Sequence, residues 1–297
     1  MEAAKQSAGS TGKKTQQQLA FEFVTALATE LSSGKIELPS FPDVAIRVRR
    51  ALASDSTGVE QVVRIVGSEP ALAARLLKMS NSAALNRSGK PIIELRTAIA
   101  RMGYNMVRSA AISFAMAQIR ASDGLKGLEK PLETLWRGST YVAAFCFVLA
   151  KNHTRRNADE AFLCGLLHSV GRLYLLTRTP QFPEFLGDPT SLAETMRDWH
   201  ADVAKAILEN WEMSEELVQA ITDQDDVSRT HSGPPDLTDV VVVANMMATY
   251  IDHPETLILN MSGVTGFKML GLDEKNCAEV LTQSREEIEA LRQALGS

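Results

Sequence analysis

Residues 164–171 read Cys-Gly-Leu-Leu-His-Ser-Val-Gly, and this stretch says more about the fold than any other part of the chain. An apolar run leads to His168, as in a helix that carries a metal-binding His-Asp pair. In such a pair, imidazole and carboxylate can turn to one pocket and bind a divalent cation. Here Ser169 replaces the aspartate, and a neutral hydroxyl is a poor anchor for such a cation. Taken alone, His168 is better explained as a hydrogen-bonded core histidine.

The composition favours a helical protein. The chain has 297 residues, of which 45% are hydrophobic and only 6% are aromatic. Ala, Leu, Val and Met supply most of the apolar content, which is typical of packed helices rather than of a sandwich or barrel. We therefore predict an all-α fold with almost no strand. Three cysteines without metal-type spacing are expected to be small buried thiols in a reducing compartment.

The pattern along the chain divides it into three parts. Residues 1–16 are polar and are predicted to be a disordered tail. Apolar residues at helical spacing predict an N-terminal helical lobe over residues 17–121. After a segment rich in Gly and charge, a second set of helices over residues 131–297 is expected to form a bundle on which that lobe packs.

Within the second set, the sequence predicts where helices begin and end. Apolar residues recur at helical spacing from residue 158 to residue 177. The glycines in this range, Gly165 and Gly171, both lie close to His168, and the range contains no proline. We predict one helix there, two short helices over residues 192–197 and 201–210, and one closing amphipathic helix over residues 274–295.

The net charge of −5 hides two opposed halves. Residues 38–120 contain twelve Lys or Arg against five Asp or Glu, whereas residues 181–297 contain seven against 22. The basic half could bind an acidic partner surface or a nucleotide. The alternatives are a solvated surface and attraction to the chain's own acidic half. The candidate anion- or partner-binding residues are Arg47, Arg50, Arg75, Lys78, Asn81, Arg87 and Lys90.

Several classes of function find no support in the sequence. There is no Gly-rich phosphate loop and no Gly-x-Ser-x-Gly elbow. Nucleic acid is not expected as a partner, because the chain is acidic overall and has no base-reading motif. The longest apolar run, Tyr141 to Ala150, is too short to cross a bilayer, and no leader is evident. We expect a cytoplasmic protein without a membrane partner.

Several motifs in fixed order resemble the HDOD family, and together they span roughly residues 38–250. The first half contributes Leu-Pro-Ser-Phe-Pro at 38–42 and Glu-Pro-Ala-Leu-Ala at 69–73, with Asn81-Ser82 after it. The others are Ala98 to Gly103, Leu135-Trp136-Arg137 and Gly165 to Arg172. The resemblance implies a helical lobe packed on a bundle related to the HD-type metal phosphohydrolases, in a family generally regarded as regulatory.

The resemblance also implies where metal ligands of the HD-type enzymes would lie. The first histidine falls at Gly138, the His-Asp pair at His168 and Ser169, and the distal aspartate at Asn245. The downstream histidines fall at Gln224-Asp225. One of these ligands, His168, is retained, and a catalytic site needs several converging ligands. We therefore predict no metal, no cofactor and no enzymatic activity, and expect that Ser169→Asp alone does not restore any.

The expected function is that of a non-catalytic bacterial signal-transduction or scaffold protein, which binds a partner protein or a small ligand through its two helical lobes. The partner is unidentified; sensor kinases and components of cyclic-dinucleotide pathways are the classes considered. Two alternatives remain open. One is a residual metal-dependent phosphohydrolase or phosphodiesterase, and the other is a receptor for a nucleotide second messenger.

Overall fold

In a computed structural model of the chain, the structure describes residues 16–33, 42–53, 57–86, 88–182 and 189–296. In these segments the ordered elements are helices and no strand is present, so the predicted all-α class is confirmed. The helix α1 begins at Gln16, inside the predicted tail, whose other residues lie outside the described part. Arg87 and residues 34–41 also lie outside it.

The first half of the chain forms helices that pack on one long helix. These are α1 (Gln16–Ser32), α2 (Asp43–Ala53), α3 (Val59–Gly67), α4 (Pro70–Ser80) and α5 (Leu95–Arg120). Helices α2, α3 and α4 all contact α5. Gly103 lies within α5 but has φ 73° and ψ 169°, so two helical segments meet there.

The second half follows in chain order. Its helices are α6 (Glu129–His153), α7 (Ala158–Leu167), α8 (Val170–Arg178), α9 (Pro189–Asn210), α10 (Glu215–Thr222), α11 (Leu237–Thr249), α12 (Pro254–Met261), α13 (Thr265–Met269), α14 (Glu274–Gln283) and α15 (Arg285–Ala294). Helix α6 lies at the centre, in contact with α7, α11 and α15, and its Trp136, Phe145 and Leu149 are buried.

The prediction of a single helix over residues 158–177 is wrong, because the helix ends at Leu167 and a new one begins at Val170. The break is stable because side chains form hydrogen bonds with the backbone carbonyls that have no partner at the end of the helix. The His168 imidazole donates through Nδ1 to the Gly165 carbonyl at 2.8 Å. Gln224 Nε2 in turn donates to the His168 carbonyl at 2.8 Å, from a part of the chain 56 residues away.

Two further helix predictions are also wrong. Residues 189–210 form one continuous helix rather than two, because Asp198-Trp199-His200 contains no Gly or Pro that would stop it. The closing helix is two helices, α14 and α15, which meet at the buried Ser284. Charge periodicity alone did not reveal that junction, since Ser is tolerated within a helix.

Both chain ends pack across the molecule. Helix α1 contacts α9, and Phe23 meets Phe182 edge to face with ring centroids 5.1 Å apart. Glu30 pairs with Arg178 of α8. At the other end, the Leu295 carbonyl accepts from Ser113 Oγ at 2.8 Å, which ties the chain end after α15 to α5. The buried apolar side chains of both halves belong to one hydrophobic core.

The two glycines of the stretch 164–171 mark close helix crossings. A methyl group on Gly165 would lie 2.7 Å from Ala143 Cα of α6, and one on Gly171 would lie 1.9 Å from the His200 carbonyl oxygen of α9. Both distances are shorter than any allowed contact. Glycine at these positions therefore lets α7 approach α6, and α8 approach α9, backbone to backbone.

The cysteines and the apolar helices have the environments that the sequence predicts. Cys146, Cys164 and Cys277 are all free and buried, and burial raises the pKa of each thiol. Within the described segments, none of the helices combines the length and hydrophobicity that crossing a bilayer requires.

Candidate functional site

The polar residues around the α7–α8 junction form one cluster with a buried centre and a partly exposed edge. His168 and Ser169 occupy the junction itself and are 5% and 3% exposed. The Ser169 hydroxyl lies 2.6 Å from the Ser139 hydroxyl of α6, and Gln224 reaches in from the turn after α10. We call His168, Ser169, Arg172, His200, Gln224 and Asp225 the His168 cluster.

The His168 imidazole is held neutral. Because a carbonyl only accepts, the Nδ1 contact to Gly165 fixes the proton on Nδ1 and leaves the lone pair on Nε2. Desolvation lowers the pKa of His168 to about 4, and the positive charge of Arg172 adds to the effect. At neutral pH His168 is therefore an uncharged hydrogen-bonding group with an unprotonated Nε2.

Arg172, His200 and Asp225 make the charged edge of the cluster. His200 Nε2 lies 2.7 Å from Asp225 Oδ2, and Arg172 Nη2 lies 3.1 Å from the same imidazole nitrogen. An ionised carboxylate cannot donate a hydrogen bond, so the short contact requires a proton on His200 Nε2. Arg172 Nη2 lies 3.4 Å from Asp225 Oδ2 and forms an ion pair with it. The His200 hydrogen bond is the main cause that lowers the pKa of Asp225.

The close approach at Gly171 makes this edge possible. It brings the backbone of α9 at His200 against α8, one residue before Arg172. His200 is 2% exposed and hydrogen-bonded to Asp225. Sequence reasoning did not assign Arg172, His200 or Ser139 to the pocket. Arg172 could have been found, since it follows His168 by one helical turn.

The other positions implied by the resemblance have different surroundings. Gly138 lies next to Ser139 on α6, and a methyl group there would meet nothing within 4 Å. The Gln224 side chain donates from Nε2 to the His168 and Ile221 carbonyls. Its Oε1 is buried and has no hydrogen-bond partner among the described residues. Asn245 lies half-buried on α11, which packs against α6 and α7, and its side chain has no hydrogen bond to the cluster in the described segments.

These residues do not fit a catalytic divalent metal. The structure brings together the His168 imidazole, two serine hydroxyls and one amide oxygen, whereas the second imidazole, His200, and Arg172 both engage Asp225. Catalytic metal sites in proteins combine several imidazole or carboxylate ligands with an open position. The donor set around His168 is too poor in charge for that, and we derive no chemical step through a metal.

A second polar cluster lies at the start of α11, and we call Arg229, His231, Asp236 and Asp239 the His231 cluster. His231 Nε2 and both carboxylates come within 4.8 Å of one another, a spacing that could hold an ion. Arg229 already bridges the two carboxylates, at 2.8 Å to Asp236 and 3.0 Å to Asp239. Asp236 and Asp239 also form a capping box for α11. The His231 cluster therefore links the loop before α11 to the start of that helix; we call such a link a structural tie.

The basic residues of the first half do not converge on one site. Arg47 pairs with Asp43 at 2.8 Å and donates to Ser68 Oγ at 3.0 Å. Arg75 is half-buried, donates to Ser113 Oγ at 2.5 Å and points at the Leu295 carbonyl, and desolvation lowers its pKa. Arg75 therefore holds the end of the chain rather than offering a free surface cation.

The remaining described candidates of this set, Lys78, Asn81, Arg50 and Lys90, are on the surface. Asn81 is committed to the loop after α4, where its side chain exchanges hydrogen bonds with the Ile92 backbone at 2.7 and 2.8 Å. Lys78 lines a depression of about 490 Å³ together with Asn81. Arg50 and Lys90 are exposed. Arg87 lies outside the described residues.

Comparison with known proteins fits this geometry. The model of the HDOD domain family matches residues 38–227, whereas no curated protein matches the chain. A protein from Shewanella amazonensis SB2B, provisionally named a metal-dependent phosphohydrolase, has a similar structure with a TM-score of 0.73. It is 22% identical, and the match covers 93% of this chain and 99% of that one.

Two other solved structures share the fold. An HDOD domain protein of unknown function from Geobacter sulfurreducens is 23% identical, with a TM-score of 0.63 over 93% of this chain and 98% of that one. A protein from Marinobacter aquaeolei VT8, provisionally named a signal transduction protein, is 19% identical, with a TM-score of 0.58 over 95% and 69%. At these identities the structures show the fold, and the family match covers most of the sequence. This chain belongs to the HDOD domain family.

Proposed function

We propose that this protein is a non-catalytic signal-transduction or scaffold protein, which binds a partner protein or a small ligand and does not hydrolyse phosphoesters. The observation that carries the proposal is the donor set around His168. At the positions where the resemblance places metal ligands, His168 is a neutral imidazole, Ser169 a hydroxyl bonded to Ser139, and Gln224 an amide, and the Asp225 carboxylate is engaged by Arg172 and His200.

The electrostatics of the cluster support the same conclusion. A divalent cation is held by ligands that are anionic or that offer a free lone pair. Asp225 is the carboxylate of the His168 cluster; its charge is already paired with Arg172, and it accepts a hydrogen bond from His200. Binding a metal there would require breaking both contacts, with no further carboxylate in the cluster to replace them.

The names of the relatives support a role in signalling without deciding the chemistry. The Marinobacter aquaeolei protein is named after signal transduction, and the Shewanella amazonensis protein after phosphohydrolases. The donor set favours the first over the second for this chain. A cytoplasmic location and partners among sensor kinases or cyclic-dinucleotide pathways fit a regulatory role of this kind.

The experiment that tests the proposal measures metal content and turnover together. Purified protein would be exposed to excess manganese, desalted, and analysed for bound metal by mass spectrometry. Hydrolysis of bis-p-nitrophenyl phosphate would be followed with manganese present. We expect bound metal far below one ion per chain and no turnover above that of the His168→Ala variant. Stoichiometric metal, or turnover that His168→Ala abolishes, would contradict the proposal.

Rebuilding the site gives the complementary test. Ser169→Asp alone is expected to leave the protein without bound metal, because Gly138 and Asn245 still offer no charged ligand. The triple variant Gly138→His, Ser169→Asp, Asn245→Asp restores three of the ligands that the resemblance implies and leaves Gln224-Asp225 unchanged. If the triple variant binds manganese and Ser169→Asp does not, the loss is spread around the pocket as proposed. Metal binding by Ser169→Asp alone would show that one substitution had emptied it.

Thermal unfolding distinguishes a receptor for a small ligand from a pure scaffold. A ligand that binds only the native state raises the apparent stability with its concentration. Cyclic dinucleotides and mononucleotides are the probes for a second-messenger receptor. A shift in Tm that Arg172→Ala removes would identify the exposed edge of the His168 cluster as the binding site.

A further inference from the structure

A groove of about 680 Å³ lies away from the His168 cluster, with which it shares no residue. Its apolar lining comes from Tyr141 and Phe145 of α6, Ile251 of the turn after α11, Leu281 of α14 and Ile288 of α15. We call it the Tyr141 groove. The lining from residue 251 onward lies beyond the part that the family model matches, residues 38–227.

The shape of the groove suits a polypeptide segment. Residues 285 to 293 line it, so the wall formed by α15 is about 12 Å long at the usual rise per residue. Ala290 and Gln293 also line the 490 Å³ depression beside Leu77 of α4, so the concave surface continues across α15. A trough of that length matches two or more turns of a docked helix better than one compact small molecule.

The rim of the groove is acidic. Asp252 and Glu286 are exposed and have no ion pair among the described residues. Glu289 adds a third carboxylate, which Arg292 contacts at 2.8 Å, and Arg285 is the basic residue of the lining. Because Arg292 pairs with Glu289, Asp252 and Glu286 are the rim carboxylates without an ion pair among the described residues, against Arg285. This excess of one carboxylate beside the apolar lining is complementary to a helix with one apolar face and basic flanks.

We propose that the Tyr141 groove binds a basic amphipathic helix of a partner protein. The partner's apolar side chains would pack on Leu281 and Ile251, beside the Tyr141 ring that Arg292 covers at 3.5 Å, and its Lys or Arg side chains would face Asp252 and Glu286. The inference goes beyond the proposed function, since it names a second surface and the chemistry of its partner. It does not depend on whether the His168 cluster binds a metal.

A model peptide tests the charge requirement. A fluorescein-labelled helix with Leu on one face and Lys on the other would be titrated with the full-length protein, and binding would be followed by fluorescence anisotropy. We expect saturable binding that weakens at least about tenfold in the double variant Asp252→Lys, Glu286→Lys. Glu209→Lys, an exposed reversal on α9, is the matched control and should bind like the unmodified chain.

A second pair of variants tests the apolar floor. Leu281→Asn should weaken binding of the same peptide, whereas Leu259→Asn, at a leucine that is 78% exposed outside the groove, should not. A thermal unfolding curve for each variant separates lost binding from lost folding. A peptide with Glu in place of Lys should fail to bind. Equal binding of both peptides, or no effect of the double charge reversal, would overturn the proposal.

Two further measurements separate partner binding from the chemistry of the His168 cluster and from self-association. His168→Ala is expected to bind the peptide normally, so failure of the proposed function would leave this result unchanged. Sedimentation velocity of the chain without peptide tests whether a second copy occupies the groove. A dimer that Leu281→Asn dissociates would assign the groove to self-association and would overturn the partner proposal.

Discussion

The His168 cluster and the His231 cluster contain the same residue types, yet they are built in opposite ways. In the first, close helix crossings at Gly165 and Gly171 bring buried, mostly uncharged groups together, and desolvation keeps His168 neutral. In the second, charges hold the structure, because Arg229 and His231 both contact the fully buried side chain of Asp239.

The difference shows that the spacing of ligand-type residues and their position in the fold are separate properties. The His231 cluster has the spacing of a metal site, but its carboxylates are already neutralised by an arginine and by helix capping. The His168 cluster has the position of a metal site, but it lacks the charge to hold one. Position in the fold, rather than local residue type, connects the His168 cluster to the family.

The largest effect is expected from Gly171→Ala. The added methyl group would fall 1.9 Å from the His200 carbonyl oxygen, so α8 and α9 must separate along the backbone. We expect a loss of about 5 kcal/mol or more in the free energy of unfolding, measured by urea denaturation. Gly138→Ala is the matched control: its methyl group meets nothing within 4 Å, and alanine favours the helix by up to about 1 kcal/mol.

If Gly171→Ala cost no more than Gly138→Ala, close backbone approach would not be what builds the His168 cluster, and the comparison would fail. Loss of the Arg172–His200 contact should accompany the destabilisation wherever a folded fraction remains. A crystal structure or amide exchange at residues 168–172 would report it.

The next effect is expected from Asp239→Ala. This substitution leaves Arg229 and His231 without the buried carboxylate that both contact, and it removes the acceptor of the Asp236 amide. Breaking such a buried pair from one side should cost about 3 kcal/mol of unfolding free energy. Asp43→Ala removes an exposed ion pair with Arg47 and should cost at most about 1 kcal/mol. Equal costs would show that the His231 cluster is no tie.

A smaller effect is expected on the acid side of the stability profile. The folded-state pKa of His168 is about 4, below its ordinary 6.5, so the unfolded chain binds the proton more readily. The stability that this contributes is present above pH 6.5 and is lost as the pH falls toward 4. From neutral pH to about pH 5 the loss is about 2 kcal/mol.

Denaturation of the unmodified chain and of His168→Gln at several pH values checks this prediction. The variant lacks the titrating imidazole, so its profile should be flatter than that of the unmodified chain between pH 6.5 and 4. Parallel profiles would mean that His168 is not held neutral by burial, and the contrast between the two clusters would disappear.

The smallest effect is expected from His231, with the opposite sign. Its pKa is raised, chiefly by the hydrogen bond to Asp239, so the folded chain holds the proton more tightly. The stabilisation is present below the ordinary pKa and is lost as the pH rises through the raised one. Since His231 is partly exposed, less than about 1 kcal/mol is at stake. His231→Gln should remove this basic-side loss and leave the acid side unchanged.

The sequence allowed much of the fold to be predicted. Composition indicated the helical class, and apolar periodicity indicated that the first half is helical. These features depend on local spacing, which acts within a few residues. The sequence did not predict the helix junctions at His168-Ser169 and Ser284. The first is stabilised by Gln224, which is 56 residues away in sequence, and no proline marks either junction.

For the candidate site, the sequence by itself determined which ligand types are absent: no side chain at Gly138, and a hydroxyl in place of the carboxylate at Ser169. The resemblance to the family placed these positions in one pocket. Only the tertiary structure decided that Arg172 and His200 join Gln224 and Asp225 there, because that contact depends on two helices approaching at Gly171. It also decided that Arg75 is committed to the chain end and that the acidic Tyr141 groove exists. Charge and residue type are local properties, whereas burial and convergence are set by packing.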